Sequence, residues 1–169
     1  VRATGRDVRV ICDAVQAAGR LPFDLAQTGA ECALLSAHKL GGPKGVGALA
    51  LAPGVEPGRP LAGGGQEMRR RGGTENVIGI AGFGAAAEAA LREREAGVWA
   101  RVEKFRNILE SRLAEAVPET MFFGQESPRL GNTSCFAVPG WRGETQVMAL
   151  DLAGFAVSAG SACSSGKVT

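Results

Sequence analysis

Three short apolar runs, each bounded by polar or turn-forming residues, most constrain what this chain can fold into. The first covers residues 8–12 and stops at Asp13, the second covers residues 32–36 and leads into Ala37-His38-Lys39, and the third covers residues 46–51. Apolar runs of this length between turn residues are typical of buried strands. About ten residues of turn chemistry separate the second run from the third, which favours a hairpin-like connection over a crossover helix.

A long helical stretch follows an irregular loop. Residues 53–76 are rich in Pro and Gly and lack periodicity, and a loop of that length in a compact protein is usually functional or disordered. From residue 77 to 117 the apolar positions fall three, four and seven apart, which predicts an amphipathic helix with a break at Gly97. The remaining predicted elements are strands at residues 133–138 and 155–158 with a helix at residues 146–152 between them. The pattern predicts an α/β fold with a domain change along the long helix.

Composition excludes several classes of function. The chain has 19 Lys and Arg against 17 Asp and Glu, a net charge of +2, which makes no bulk electrostatic case for nucleic acid or anionic membrane as the main partner. No apolar run approaches the roughly 20 residues of a membrane span, and the first residues lack a signal-peptide core, so we expect a cytoplasmic protein. The 25 glycines cluster in loops, which indicates tight turns and close approach of backbone to ligand.

The four cysteines are far apart and form no C-x-x-C pair, so we expect no metal site. Cys12, Cys32 and Cys135 lie in apolar runs, and we expect them in the core. Cys163 stands among the small residues of 160–166. An unshielded thiol there is a candidate nucleophile; the alternative is an incidental loop cysteine.

Chemistry-bearing residues stand where the first two strands end. Lys39 lies where a buried strand meets a glycine-rich loop, and desolvation favours the neutral amine that forms imines; alternatively, Lys39 caps the element and reaches water. Asp13 lies at the carboxyl end of its strand, where open α/β sheets bind ligands. Its carboxylate could pair with a cationic ring nitrogen or cap the turn that follows, and Gln16 could share its face of that turn. His38, the single histidine, is either functional or an ordinary core or surface group.

The glycine-rich loop is a second candidate site. Residues 63–67 and 69–76 combine backbone freedom with arginines and the hydroxyl of Thr74. Such a loop suits anion binding through amide N–H groups and guanidinium, with a mobile charged loop as the alternative.

These stretches, taken together and in this order, resemble the cysteine desulfurases of the NifS/IscS type, which are pyridoxal-phosphate enzymes of the class V aminotransferase family. The matching segments are CDAVQ at 12–16, SAHKLGGPKGVG at 36–47, GGGQE at 63–67, GTENV at 73–77 and SAGSACSSG at 158–166. The resemblance covers essentially the whole chain. It implies part of a PLP-dependent transferase large domain of fold type I with a mostly parallel sheet at residues 1–95. Part of the smaller α+β C-terminal domain would follow at residues 96–169.

The resemblance also implies a role for each matching residue. Lys39 would hold pyridoxal 5'-phosphate as an imine and later move protons at the substrate Cα. Asp13 would pair with the pyridinium nitrogen and keep the ring an electron sink, and Gln16 would hydrogen-bond the phenolic oxygen. Ser36 and His38 would hold the phosphate. Thr74 would reach the phosphate of the neighbouring subunit in a homodimer.

Sulfur transfer would fall to Cys163. By resemblance, its thiol would attack the sulfur of the bound L-cysteine, keep that sulfur as a persulfide and leave L-alanine. The sulfur would then pass to an iron–sulfur scaffold or another acceptor protein. An imine-forming lysine, a strand-end carboxylate and a mobile thiol are what such a reaction needs.

Two alternatives stay open. A related class V enzyme, such as a selenocysteine lyase or an aminotransferase, would keep Lys39 and Asp13 but would not need Cys163 in a Gly/Ser loop. A non-catalytic fragment or scaffold-binding module would only expose Cys163 for sulfur relay. By resemblance, the histidine that stacks on the ring and the arginine that clamps the substrate carboxylate lie outside residues 1–169. The chain is therefore interpreted as an internal fragment.

Overall fold

The computed structural model describes residues 8–59 and 61–160, so Cys163 and most of its loop lie outside the described residues. The chain divides between Ala100 and Arg101 into two compact units. In the described ranges, no helix combines the length and the apolar character needed to cross a bilayer.

The first unit is built on a three-stranded sheet with the order β1-β2-β3. The strands are β1 (Ile11–Asp13), β2 (Cys32–Ser36) and β3 (Gly47–Leu51). Strand β1 pairs with β2 in parallel, whereas β2 pairs with β3 antiparallel. The predicted strands at 32–36 and 46–51 and the hairpin-like return between them are confirmed. Strand β1 begins later than the predicted run at 8–12 and includes Asp13. This part of the sheet is mixed, one pairing of each kind, where the resemblance implied a mostly parallel sheet for the whole domain.

The helices of the first unit begin at polar caps. Helix α1 (Leu25–Thr28) begins where the side chain of Asp24 accepts a hydrogen bond from the amide of Ala26. Helix α2 (Val77–Glu95) begins at Asn76, whose Oδ1 accepts from the amide of Gly79. The predicted break at Gly97 is confirmed: this glycine has a φ of +72°, and helix α3 (Val98–Ala116) begins directly after it.

The second unit contains most of α3, a two-stranded antiparallel sheet and a last helix. The strands are β4 (Met121–Phe122) and β5 (Phe136–Ala137), and helix α4 covers Gly143–Leu152. Strand β5 is shorter than the predicted strand at 133–138. The predicted strand at 155–158 is wrong. The amide of Phe155 donates to the carbonyl of Leu150 at 2.8 Å and so closes the end of α4 instead of entering a sheet.

Burial differs from expectation at several places. The apolar runs were expected to form buried strands, but Ile11 of β1 and Leu49 of β3 are exposed. Cys135 is exposed, so its prediction as a core residue is wrong, while Cys32 is buried and Cys12 half-buried. The carbonyl of Cys135 accepts from the amide of Phe123, so its main chain is bonded to the residue after β4 while its side chain stays uncovered. The apolar stripe of α3 is also open: Phe105, Ile108 and Leu109 are at least half exposed.

Candidate active site

The carboxyl ends of β1 and β2 meet at one edge of the sheet. Because the two strands are parallel and Asp13 is in register with Leu34, the residues that leave β1 and those that leave β2 emerge at the same edge. The amide of Ala14, which is fully buried, donates to the carbonyl of Leu34 at 3.1 Å. The sheet therefore brings the Asp13–Gln16 turn and the Ser36–Lys39 segment to a common edge.

Asp13 ends β1 with an exposed carboxylate. Its Oδ1 accepts a hydrogen bond from the amide of Val15 at 3.0 Å. The capping interpretation of Asp13 is thus confirmed. A carboxylate has two oxygens, and the cap fixes its orientation at the edge of the sheet where a ligand would lie.

Ser36 and His38 lie together just beyond β2. Ser36 Oγ and His38 Nδ1 share a hydrogen bond of 2.8 Å. His38 is exposed and Ser36 is half-buried. The pair offers a hydroxyl and an imidazole on the same short segment, a donor set that suits a phosphate group.

Lys39 lies in the 3-10 turn Ala37–Leu40 that follows β2. The turn is anchored at Ala37, a fully buried residue whose amide donates to the carbonyl of Val46 at 3.0 Å and whose carbonyl accepts from the amide of Gly42 at 2.9 Å. Lys39 is half-buried. Lys39 therefore lies on an anchored main-chain turn directly after β2.

Arg20 is a residue of this site that the sequence argument missed. Its Nη1 donates to the main-chain carbonyl of Gln16 at 2.7 Å and to Gln16 Oε1 at 2.5 Å, and its Nη2 donates to the carbonyl of Lys39 at 3.1 Å. The four-residue spacing from Gln16 to Arg20 suits the first contact. The contact with Lys39 has no local sequence signal, because those residues are 19 positions apart.

Thr74 is exposed in the segment before α2. Over residues 8–59 and 61–160 the structure shows no hydrogen bond between Thr74 and either Ser36 or His38.

In the neighbouring loop, Arg70 Nη2 pairs with Glu56 Oε1 at 2.9 Å. The hydrogen bond and the charge of Arg70 hold the pKa of Glu56 below its usual value. One arginine of the predicted anion-binding loop is thus engaged by a carboxylate.

A cleft of about 810 Å³ lies beside β3 and the loop that precedes α2. Its walls include Leu49, Met68, Arg71 and Phe83. Its lining also includes Glu67 and Arg70 of the glycine-rich candidate loop. The residues predicted to contact the coenzyme do not line it, so the cleft is distinct from the edge that carries Lys39. Within the described ranges, no cluster of three or more His, Cys, Asp and Glu side chains could hold a metal ion.

The chain is similar in sequence to known cysteine desulfurases. It is 48% identical over 157 residues to a cysteine desulfurase of Cereibacter sphaeroides, an alignment that covers 92% of this chain and 39% of that protein. It is 46% identical over 155 residues to one of Sinorhizobium fredii, with 90% and 39% covered. The chain thus spans about two fifths of the length of these curated relatives.

The fold agrees with these sequence matches. A solved NifS-like protein from Rickettsia africae matches with a TM-score of 0.81 at 32% identity, over 90% of this chain and 42% of that one. The predicted fold class, a mixed α/β segment of the PLP-dependent transferase fold type I, is confirmed. The family model "Aminotransferase class-V" matches residues 2–168. The chain therefore belongs to the class V aminotransferase family.

Proposed function

We propose that the protein carrying this chain is a cysteine desulfurase that uses pyridoxal 5'-phosphate to convert L-cysteine to L-alanine. The observation that supports the proposal is the shared edge of the sheet from which the segments carrying Asp13, the Ser36–His38 pair and Lys39 emerge. The identity to cysteine desulfurases over most of this chain supports the same function.

The donor set at that edge fits the coenzyme. An amine on an anchored turn suits its aldehyde, a strand-end carboxylate suits its cationic ring nitrogen, and a hydroxyl beside an imidazole suits its phosphate. In this assignment Lys39 would bind the aldehyde, Asp13 would pair with the ring nitrogen, and Ser36 with His38 would hold the phosphate. Gln16 takes the ring oxygen. When bound, the coenzyme supplies an electron sink for the bonds at the substrate Cα.

The remaining chemistry belongs to side chains of the protein. Lys39 would hold and move the proton at the substrate Cα. Cys163 attacks the substrate sulfur as a thiolate. A sulfur–sulfur bond forms while the substrate Cβ–S bond breaks, and the electron pair stays with carbon, which takes a proton and becomes the methyl group of alanine. No outside oxidant is needed, because the substrate carbon is reduced as the sulfur is oxidised.

The proposal includes two partners. The first is a second copy of the chain, with Thr74 reaching the phosphate of the neighbouring subunit. The second is a sulfur acceptor, an iron–sulfur scaffold or another protein, that removes the sulfur from the persulfide on Cys163.

The experiment uses the protein expressed from its complete gene, as wild type, Lys39→Ala and Cys163→Ala. We expect wild type to take up pyridoxal phosphate with the visible absorbance of a lysine-bound aldehyde, and Lys39→Ala to lose that band. Cys163→Ala should keep the band but form no persulfide. Cys135→Ser is the matched control, because Cys135 is an exposed cysteine that we place outside the site.

Three outcomes would contradict the proposal or redirect it. Absence of the band in wild type would favour the non-catalytic module. Cysteine-dependent sulfide release by Cys163→Ala at physiological thiol levels would remove Cys163 as acceptor. Turnover of selenocysteine but not cysteine would favour the related lyase.

A further inference from the structure

The guanidinium of Arg20 joins the two segments to which we assign coenzyme contacts. One segment is the turn that carries Gln16, and the other is the turn Ala37–Leu40 that carries Lys39. The Lys39 carbonyl is reached across 19 positions of sequence, so this bond is a tertiary contact and not part of a local turn.

We propose that Arg20 is a positioning residue of the coenzyme site. Arg20 donates to both Gln16 Oε1 and the Lys39 carbonyl and so fixes the orientation of the Gln16 amide. In this orientation Nε2 is the atom that would donate a hydrogen bond to the ring oxygen of the coenzyme. The inference rests on the proposed function, because it concerns how the same site meets pyridoxal phosphate.

The chemistry of the two groups fixes the orientation of the amide. A guanidinium carries five N–H donors and no acceptor, so it can face only the Oε1 end of Gln16. The two ends of an amide point in different directions, and Nε2 is turned away from Arg20. A ring oxygen that bears negative charge accepts a hydrogen bond from Nε2, whereas an amide turned over would present Oε1, a second acceptor, to the same oxygen.

The surroundings of Arg20 hold it in place. The residue before it, Gly19, has a φ of +75°, and a Cβ there would come within 2.7 Å of Leu40 Cδ2 and 2.9 Å of Ala90 Cβ. The turn therefore packs directly against the Lys39 turn and α2. Arg20 Cζ also lies 5.6 Å from the ring centroid of Trp99, within the range of a cation–π contact.

Only arginine has the geometry for this double contact. Its planar fork reaches two acceptors at once, whereas a lysine ammonium is a compact charge without that fixed geometry. An Arg20→Lys variant would keep the charge and one hydrogen bond but lose the paired hold. Comparing Arg20→Lys with Arg20→Met therefore separates the effect of charge from the effect of orientation.

The test uses the full-length protein loaded with pyridoxal phosphate, as wild type, Arg20→Met, Arg20→Lys and Gln16→Leu. The first readout is the pH midpoint of the coenzyme's visible absorbance. A hydrogen-bond donor to the ring oxygen stabilises that oxygen as an anion and so favours the deprotonated form of the bound coenzyme. Losing the donor therefore raises the pH midpoint. We expect Arg20→Met to raise the midpoint by about half a pH unit or more, and Arg20→Lys to raise it less.

The second readout is the double variant Gln16→Leu with Arg20→Met. If Arg20 acts through Gln16, the midpoint of the double variant matches that of Gln16→Leu alone. The control is Arg92→Met, which removes an exposed arginine of α2 that pairs loosely with Glu88 at 3.8 Å. This control should leave the midpoint unchanged.

A third readout needs no coenzyme. In the apo protein, Arg20→Met should speed amide hydrogen exchange over residues 37–42 by about tenfold relative to Arg92→Met, because one hydrogen bond to that turn is lost. Coenzyme uptake by wild type with an unchanged midpoint in Arg20→Met would overturn this inference alone, as would additive shifts in the double variant. A wild type that takes up no coenzyme would overturn the proposed function and this inference with it.

Discussion

Glu110 is a buried carboxylate held by hydrogen bonds from three other side chains. It is 5% exposed, and it accepts from Arg129 at 2.6 and 2.7 Å, from Ser134 Oγ at 2.7 Å and from Gln125 Nε2 at 3.1 Å. The Arg129 hydrogen bonds are the largest cause that lowers the pKa of Glu110, to about 2, against burial, which raises it. The ionised carboxylate therefore stabilises the fold of the second unit.

This pKa gives the stability a pH dependence of known sign. The folded-state pKa of about 2 lies below the usual 4.5, so the stabilisation is complete above about pH 4.5 and is lost as the pH falls toward 2. We expect the free energy of unfolding to drop by roughly 2–3 kcal/mol across that window on account of this group. Urea unfolding followed by circular dichroism at several pH values measures it.

The variants separate Glu110 from the other carboxylates. Glu110→Gln should be destabilised at neutral pH by about 3 kcal/mol, because it leaves Arg129 without its charge partner, and should show a flatter pH dependence. Glu115→Gln, on an exposed position of the same helix, should behave like wild type. Equal pH dependence in Glu110→Gln and wild type would contradict the assignment.

Residues with a local signal were predictable, and those held by distant partners were not. The carboxyl end of a strand is a local feature, so sequence alone indicated Asp13 and Lys39 as candidates. Glu110 lies on a helix whose apolar periodicity points elsewhere, and its partners follow 15, 19 and 24 positions later. Arg20 was missed for the same reason, because its significance depends on a contact with Lys39.

At the scale of the elements, Gly97 separates two helices of equal length. Helices α2 and α3 each have 19 residues, and Gly97 adopts the left-handed conformation that ends the first. Because only glycine takes this conformation without steric cost, the break could be predicted from the sequence. The strand predicted at 155–158 failed because its apolar pattern carries no information about where a partner strand lies.

Two glycine-to-alanine substitutions should have opposite effects. A Cβ at Gly97 or at Gly84 would meet nothing within 4 Å, so neither causes a clash. Gly97→Ala should destabilise by about 1 kcal/mol, since alanine resists a positive φ. Gly84→Ala, in the interior of α2, should stabilise by roughly 0.5–1 kcal/mol. Thermal unfolding of both variants is the measurement, and a shift of the same sign in both would contradict this account of the helix break.

At the scale of the whole molecule, we expect the site to need a residue from a second chain. The described residues place the Ser36–His38 pair and Lys39 at one edge of a sheet, while Thr74 is exposed and makes no hydrogen bond to that pair within the described ranges. An exposed hydroxyl on a glycine-rich segment suits contact with a second subunit. We therefore expect the complete site to be assembled across a dimer, with Thr74 contributed in trans.

A mixed dimer of Lys39→Ala and Thr74→Ala subunits tests this arrangement. If Thr74 serves the neighbouring subunit, the site that keeps Lys39 receives an intact Thr74 from the Lys39→Ala chain, and the other site carries both defects. Such a dimer, purified with two different affinity tags, should bind one coenzyme with wild-type affinity. A Thr74→Ala homodimer should bind about tenfold more weakly, because each phosphate loses a hydrogen bond. If Thr74 instead serves its own subunit, both sites of the mixed dimer are defective, and its remaining coenzyme binds as weakly as in the Thr74→Ala homodimer.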